Sequence, residues 1–218
     1  MARIVFDLDG TLIDSAPDIQ MGVNLMLADE GIAPLSLEQV KSFIGNGLPH
    51  LVRLVIGATP LRIEDHARHL KQVLAHYDAV NGDQTRPYPG VVDRLDALKA
   101  AGHRLAVCTN KPEAPARDIG AKRGLTQCEA VIGGDSLPER KPDPAPLNAA
   151  FEGLGEGPEI YVGDSEVDAE TAHRAAVPFL LFTEGYHKRP LDEMPQSGRF
   201  AHFDDLSDLI DSLLAAAE

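Results

Sequence analysis

Two aspartates, Asp7 and Asp9, close the apolar run in IVFDLDGT with a single residue between them. Side chains two apart on an extended strand point the same way, and like charges held so close repel unless a cation or a shared proton intervenes. Such a pair can hold a divalent cation, attack an electrophile or pass a proton. The same letters also spell a strand followed by an ordinary Asp-Gly turn, so the pair alone leaves both readings open.

Three later stretches carry groups of the same kind. Thr109, Asn110 and Lys111 follow LAVC, Arg140-Lys141-Pro142 comes one loop after VIGG, and Asp164, Ser165 and Asp168 follow IYVG. Each has a plain structural reading beside the chemical one. Thr109-Asn110 suits a helix cap, Lys141 a solvated loop, and Gly163-Asp-Ser-Glu a helix start. Unrelated turns have no reason to fall, in order, at one edge of a sheet with the charges that phosphate chemistry requires.

The elements that would position these groups follow from hydrophobic periodicity. From Ala16 to Arg86 the spacing is helical throughout. Ile19, Val23, Met26 and Leu27 share a face; Ser36-Leu-Glu-Gln39 has capping-box form; Gly45-Asn46-Gly47 breaks the pattern; and Thr59-Pro60 reads as the N-cap and first turn of a further helix through Tyr77. After Gly90 helices and strands alternate: helix 91–101, strand 103–109, helix 114–123, strand 130–133, helix 145–153, strand 159–162, helix 167–176 and strand 178–183. Leu206 to Leu214 marks a closing helix. Alternation of this kind predicts an α/β fold, a Rossmann-like parallel sheet with helices on both faces, because parallel strands need crossovers. The first strand belongs to that sheet, so residues 1–15 and 87–218 form the core and 16–86 an inserted helical cap. Ligands of such sheets bind beyond the carboxyl ends of the strands, where all four polar stretches fall.

A chain of 218 residues can bury a substantial core without disulfides, and Cys108 and Cys128 lack the spacing of a metal or disulfide motif. A formal net charge of −14 argues against nucleic-acid or anionic-membrane partners, which require a basic footprint. It leaves room for a small phosphorylated metabolite, since a bound divalent cation dominates its local field. The absence of a secretory or membrane-spanning apolar run makes a cytoplasmic monomer or homodimer the expectation.

The ordered set DLDGT, TN, K-P and GDSEVD resembles the haloacid-dehalogenase superfamily, and the likeness runs through the whole chain. Within it, FDLDGTLIDSAPDI, IGNGLPHLV, TNKP, RKPDPAPL and VGDSEVDAETA are most similar to the phosphoglycolate phosphatase branch. The resemblance implies a Mg²⁺-dependent phosphatase acting on a small phosphate monoester, 2-phosphoglycolate being one that fits. Asp7 would be the nucleophile and Asp9 the acid and base, with Lys141 compensating the carboxylates. Asp7, the Asp9 carbonyl and Asp164 would hold the metal, and Asp168 would support that shell. Gly10, Thr11, Thr109, Asn110 and Lys141 would bind the phosphoryl group. Gly45, Asn46 and Gly47 would form a specificity loop, although a plain helix-ending turn accounts for them equally well. Ala176 stands where relatives commonly end that helix with glycine, so a left-handed glycine cap there is unavailable. A sugar phosphomutase shares this pattern; a receiver-type phosphoacceptor module lacks the helical insertion; and a silent binding protein would have lost the nucleophile or the acid, both of which are present.

Overall fold

The computed structural model describes residues 1–80 and 82–216. Along the chain lie β1 (Arg3–Phe6), β2 (Ile13–Asp14), α1 (Ala16–Asp29), α2 (Leu37–Lys41), α3 (Leu48–Gly57), α4 (His66–Val80), β3 (Arg86–Pro87), α5 (Val91–Ala100) and β4 (Arg104–Cys108). They are followed by α6 (Glu113–Lys122), β5 (Ala130–Ile132), α7 (Ala145–Glu152), β6 (Glu159–Gly163), α8 (Glu166–Ala175), β7 (Phe179–Phe182), β8 (Gly198–Phe200) and α9 (Leu206–Ala216).

Six strands form one parallel sheet in the order β5-β4-β1-β6-β7-β8. Side chains alternate across it: Ile4 and Phe6 face one cluster with α5, α6 and α9, while Val5 faces another with α7 and α8. From β1 the chain order runs outward in both directions, toward β4 on one side and β6 on the other. The reversal leaves a crevice at the carboxyl ends of β1, β4 and β6, the place where such sheets bind ligands.

Helices α1 to α4 gather around a separate apolar cluster that includes Val23, Met26, Val52, Val55, Val73 and Tyr77. The Ser36–Gln39 capping box is present, with Ser36 Oγ accepting from Gln39 N and the Gln39 side chain accepting from Ser36 N. Two local expectations fail. Thr59 ends α3 instead of starting a helix, because its hydroxyl donates back to Val55 O at 2.8 Å, and α4 begins only at His66. The segment to Arg86 is not wholly helical, since Arg86 and Pro87 pair antiparallel with Asp14 and Ile13 in a small ribbon at the two crossings between sheet and helices. Ala176 does adopt the left-handed conformation, at φ 57° and ψ 37°, despite its Cβ. No helix among the described residues is long and apolar enough to cross a membrane.

Candidate active site

The first strand ends at Phe6, and the chain then turns so tightly that Gly10 N donates to Ile13 O and Leu12 N to Leu8 O. Asp7 and Asp9 therefore emerge at the sheet's edge, and both line one cavity. Gly10 holds φ +92°, and a Cβ there would come within 2.5 Å of Asp164 Oδ2; at Gly185 it would lie 2.3 Å from Asp164 Cβ. These two glycines let Asp164, at the end of β6, pack into the turn that carries Asp7 and Asp9.

Asp7, Asp164 and Asp168 each offer a carboxylate oxygen within 4.8 Å of the others. Lys141 is the cation among them: its Nζ lies 2.9 Å from Asp7 Oδ1 and 2.7 Å from Asp168 Oδ1, and it donates to Tyr161 OH at 2.9 Å. The contact with Asp7 is an ion pair without hydrogen-bond alignment, which leaves that buried oxygen without a hydrogen-bond donor. Burial, and then the charge of Asp168, push the Asp7 carboxyl up to about 7 against the pull of Lys141. Burial, Asp168 and Asp7 likewise raise Asp164 far above the ordinary carboxylate range. Three carboxylates facing one ammonium, with an orphaned oxygen between them, fit a divalent cation in charge and in donor type.

Asp168 differs from its neighbours. Its Oδ1 accepts from Lys141 and Tyr161 OH, both at 2.7 Å; its Oδ2 accepts from Ser165 Oγ at 2.6 Å and from the amides of Ser165 and Asp164. Burial alone would raise this carboxyl, but Lys141 and the hydrogen bonds from Lys141, Ser165 and Tyr161 outweigh it and hold the group below the usual range. Ser165 and Asp168 also form the capping box of α8, so the helix-start reading of GDSE holds while Asp168 also sits among the buried carboxylates.

The residues expected to bind a phosphoryl group differ in placement. Thr109 and Asn110 line the cavity, and they do not cap α6, whose N-cap is Pro112. Thr11 is turned to Asp164: fully buried, it donates to Asp164 Oδ1 at 2.6 Å. The Gly10 amide is consumed by Ile13 O and has nothing to offer a substrate. Asn110 Nδ2 donates to Gly45 O at 2.9 Å and to Lys141 O at 3.0 Å, tying the loop between α2 and α3 to the sheet. Gly45 and Gly47 line the cavity; Asn46 does not. A second tie is Lys188 Nζ donating to Ile44 O at 2.6 Å.

Several site residues carried no signal of their own. Tyr161, in the middle of β6, reads as a core strand residue, as does Tyr77 on α4. Ser15 donates to Asp9 Oδ1 at 2.5 Å, and Tyr186 N donates to Asp164 Oδ2 at 2.6 Å. Lys111 Nζ donates to Tyr77 OH at 2.5 Å and lies 3.4 Å from Asp9 Oδ1.

A haloacid dehalogenase-like hydrolase profile matches residues 4–182, from β1 through β7. The chain belongs to that hydrolase family. The hydrolase is 49% identical over 218 residues to a phosphoglycolate phosphatase of Cereibacter sphaeroides, covering 99% of this chain and 100% of that one. It is 44% identical to a phosphoglycolate phosphatase of Rhodobacter capsulatus, over 95% and 96% of the two chains. Among solved structures, a predicted phosphoglycolate phosphatase from Haemophilus somnus superposes with a TM-score of 0.90 at 32% identity, covering 95% of this chain and 97% of that one. With relatives this similar over its full length, the hydrolase is a phosphatase.

Proposed function

We propose that the hydrolase removes phosphate from 2-phosphoglycolate through a phosphoryl-Asp7 intermediate and that it requires Mg²⁺. The observation that carries this is the orphaned Asp7 oxygen, buried beside Lys141 at the floor of the cavity with Asp9 next to it. Asp7, Asp164 and the Asp9 carbonyl would hold the cation, with Asp168 fixing the lysine and the loop behind them. When bound, the cation neutralises the repulsion between a carboxylate and a phosphate dianion and aligns the two.

The remaining work falls to the chain. An Asp7 oxygen attacks phosphorus as the phosphorus–oxygen bond to the glycolate breaks, and Asp9 delivers its proton to the departing alkoxide. Asp9, now a carboxylate, takes a proton from water whose oxygen attacks the phosphoryl group, releasing phosphate and restoring Asp7. Ser15 and Lys111 keep the Asp9 side chain in place for both steps. Thr109, the Asn110 amide and Lys141 face the phosphoryl oxygens. Helices α1, α3 and α4 wall the cavity with the apolar side chains of Ile19, Leu48, Leu51 and Leu74.

The test is acid quenching of the Mg²⁺ enzyme during turnover of 2-phosphoglycolate, followed by mass spectrometry of its peptides. A phosphoryl adduct is expected on the peptide containing Asp7, with Asp7→Asn lacking both adduct and turnover. Wild-type rates in Asp7→Asn would refute the nucleophile; failure to hydrolyse 2-phosphoglycolate while other monoesters react would refute the substrate.

A further inference from the structure

Two buried ammonium groups reach this cavity or its floor, and they are occupied differently. Lys141 donates to Asp168 and Tyr161 and is paired by charge with both Asp7 and Asp168. Lys111 has a short bond to Tyr77 OH at 2.5 Å and a long contact to Asp9 Oδ1 at 3.4 Å, and no acceptor among the described residues takes its third proton. Tyr77 accepts from Lys111, so its own phenolic proton is free, and burial keeps the phenol in its protonated form. Both side chains line the cavity. The result is a pair of converging donors, one charged, with no anionic partner beyond the distant edge of Asp9.

Position tells what they would bind. The leaving oxygen must lie within hydrogen-bond reach of Asp9, about 2.6–3.2 Å, for proton transfer. Lys111 Nζ is 3.4 Å from Oδ1 of that same carboxyl group, so a group attached to the first carbon of the leaving alcohol falls within reach of the ammonium. Above, the walls are apolar: Ile44, Leu48, Leu51 and Leu74 would strand the hydroxyl groups of a sugar without partners.

We infer that Lys111 and Tyr77 form a carboxylate subsite, which makes the enzyme selective for short phosphate esters of 2-hydroxycarboxylic acids over neutral alkyl phosphates and sugar phosphates. The inference rests on the phosphatase chemistry proposed above and names the part of the site that recognises the leaving group. Tyr77 comes from α4 and Lys111 from the loop after β4, so a bound carboxylate also bridges the two halves of the molecule.

The experiment compares kcat/KM for 2-phosphoglycolate and for ethyl phosphate, which differ by the carboxylate, in wild type, Lys111→Met and Tyr77→Phe. Wild type is expected to favour 2-phosphoglycolate at least about 100-fold. Lys111→Met should cut that ratio at least about 30-fold, on top of a fall in kcat shared by both substrates through Asp9, and Tyr77→Phe should cut it about 3–10-fold, mainly through KM. A purely structural role through Asp9 would lower both substrates in parallel and leave the ratio intact, and that result overturns the subsite while the assigned substrate stands. A wild-type ratio near one overturns both the subsite and the assigned substrate. Tyr77→Phe keeps the test open should Lys111→Met misfold.

Discussion

Asp168→Asn separates a group that binds the metal from one that arranges the residues around it. Both oxygens of Asp168 are already saturated by five donors, and the residue is fully buried. An asparagine presents one acceptor oxygen and one NH₂ group. In either orientation, the NH₂ faces donors, leaving either Lys141 and Tyr161 or the Ser165 cap without an acceptor. Lys141, 2% exposed, would keep only Asp7 as its counter-charge. Breaking a buried pair in this way costs about 3–5 kcal/mol. For a chain of this size that lowers Tm by about 6–20 °C. Because the Asp168 carboxyl is held below its unfolded pKa, its contribution is complete above about pH 4 and fades as pH falls through the folded value. The gap between variant and wild type should therefore be constant from neutral pH down to about pH 4 and close below it. The assay is thermal unfolding in EDTA and in Mg²⁺, with Asp164→Asn alongside. Asp164 is destabilised by burial and by two like charges, so Asp164→Asn should match or exceed wild-type stability in EDTA and lose the Mg²⁺ increment. Asp168→Asn should show the reverse: a large loss in EDTA with the increment retained. An Asp168→Asn protein as stable as wild type in EDTA, but unresponsive to Mg²⁺, would show that Asp168 ligates the ion directly.

Metal removal gives a second prediction. Asp7, raised to about 7, retains a proton that the unfolded chain releases near pH 4, so its favourable contribution in EDTA is full below that pH and disappears as pH rises toward 7. The Tm gain on adding Mg²⁺ should accordingly grow from pH 5 to about 7 and then level off; a gain independent of pH would contradict the assignment. Ala176→Gly should stabilise the protein, because an exposed alanine in the left-handed region costs about 1–2 kcal/mol, of which glycine's extra unfolded-state entropy returns about 0.5–1. A Tm rise of about 1–4 °C is expected in differential scanning calorimetry, and none would mean that Ala176 is unstrained. Gly10→Ala places a methyl 2.5 Å from Asp164 Oδ2 in a backbone conformation that alanine resists. Mg²⁺ affinity by calorimetric titration should fall about 10–100-fold, and an unchanged affinity would remove Asp164 from the proposed ligand set.

What was legible in the chain was whatever depends on local pattern. Apolar runs alternating with helical spacing announced the parallel sheet, and β1, β4 and β6 end where the polar stretches begin because a crossover fold leaves them no other exit. The three-residue strand β8, GRF, has too short a pattern to register, and β3 contains a proline that a strand ordinarily avoids. Thr59-Pro60 misled because threonine's hydroxyl can close a helix as readily as open one, and only the position of Val55 O decides. The site shows the same division. Asp7 and Asp164 are recognisable as types at strand ends and Lys141 in a loop beyond one, but the assignment of each hydrogen bond is tertiary. Thr11 reads as a phosphate-binding hydroxyl until the fold brings Asp164 within 2.6 Å of it, 153 residues along the chain. Tyr77 is the sharpest case: its helical spacing matches Val73 and Leu70, all apolar in pattern, and nothing local shows that its hydroxyl meets Lys111. Periodicity detects which face of a helix is buried but not what lies across from it. Residues that join two separately packed units therefore look like core to any reading of one unit alone, and the contact between Tyr77 and Lys111 emerges only when α4 and the loop after β4 are placed face to face.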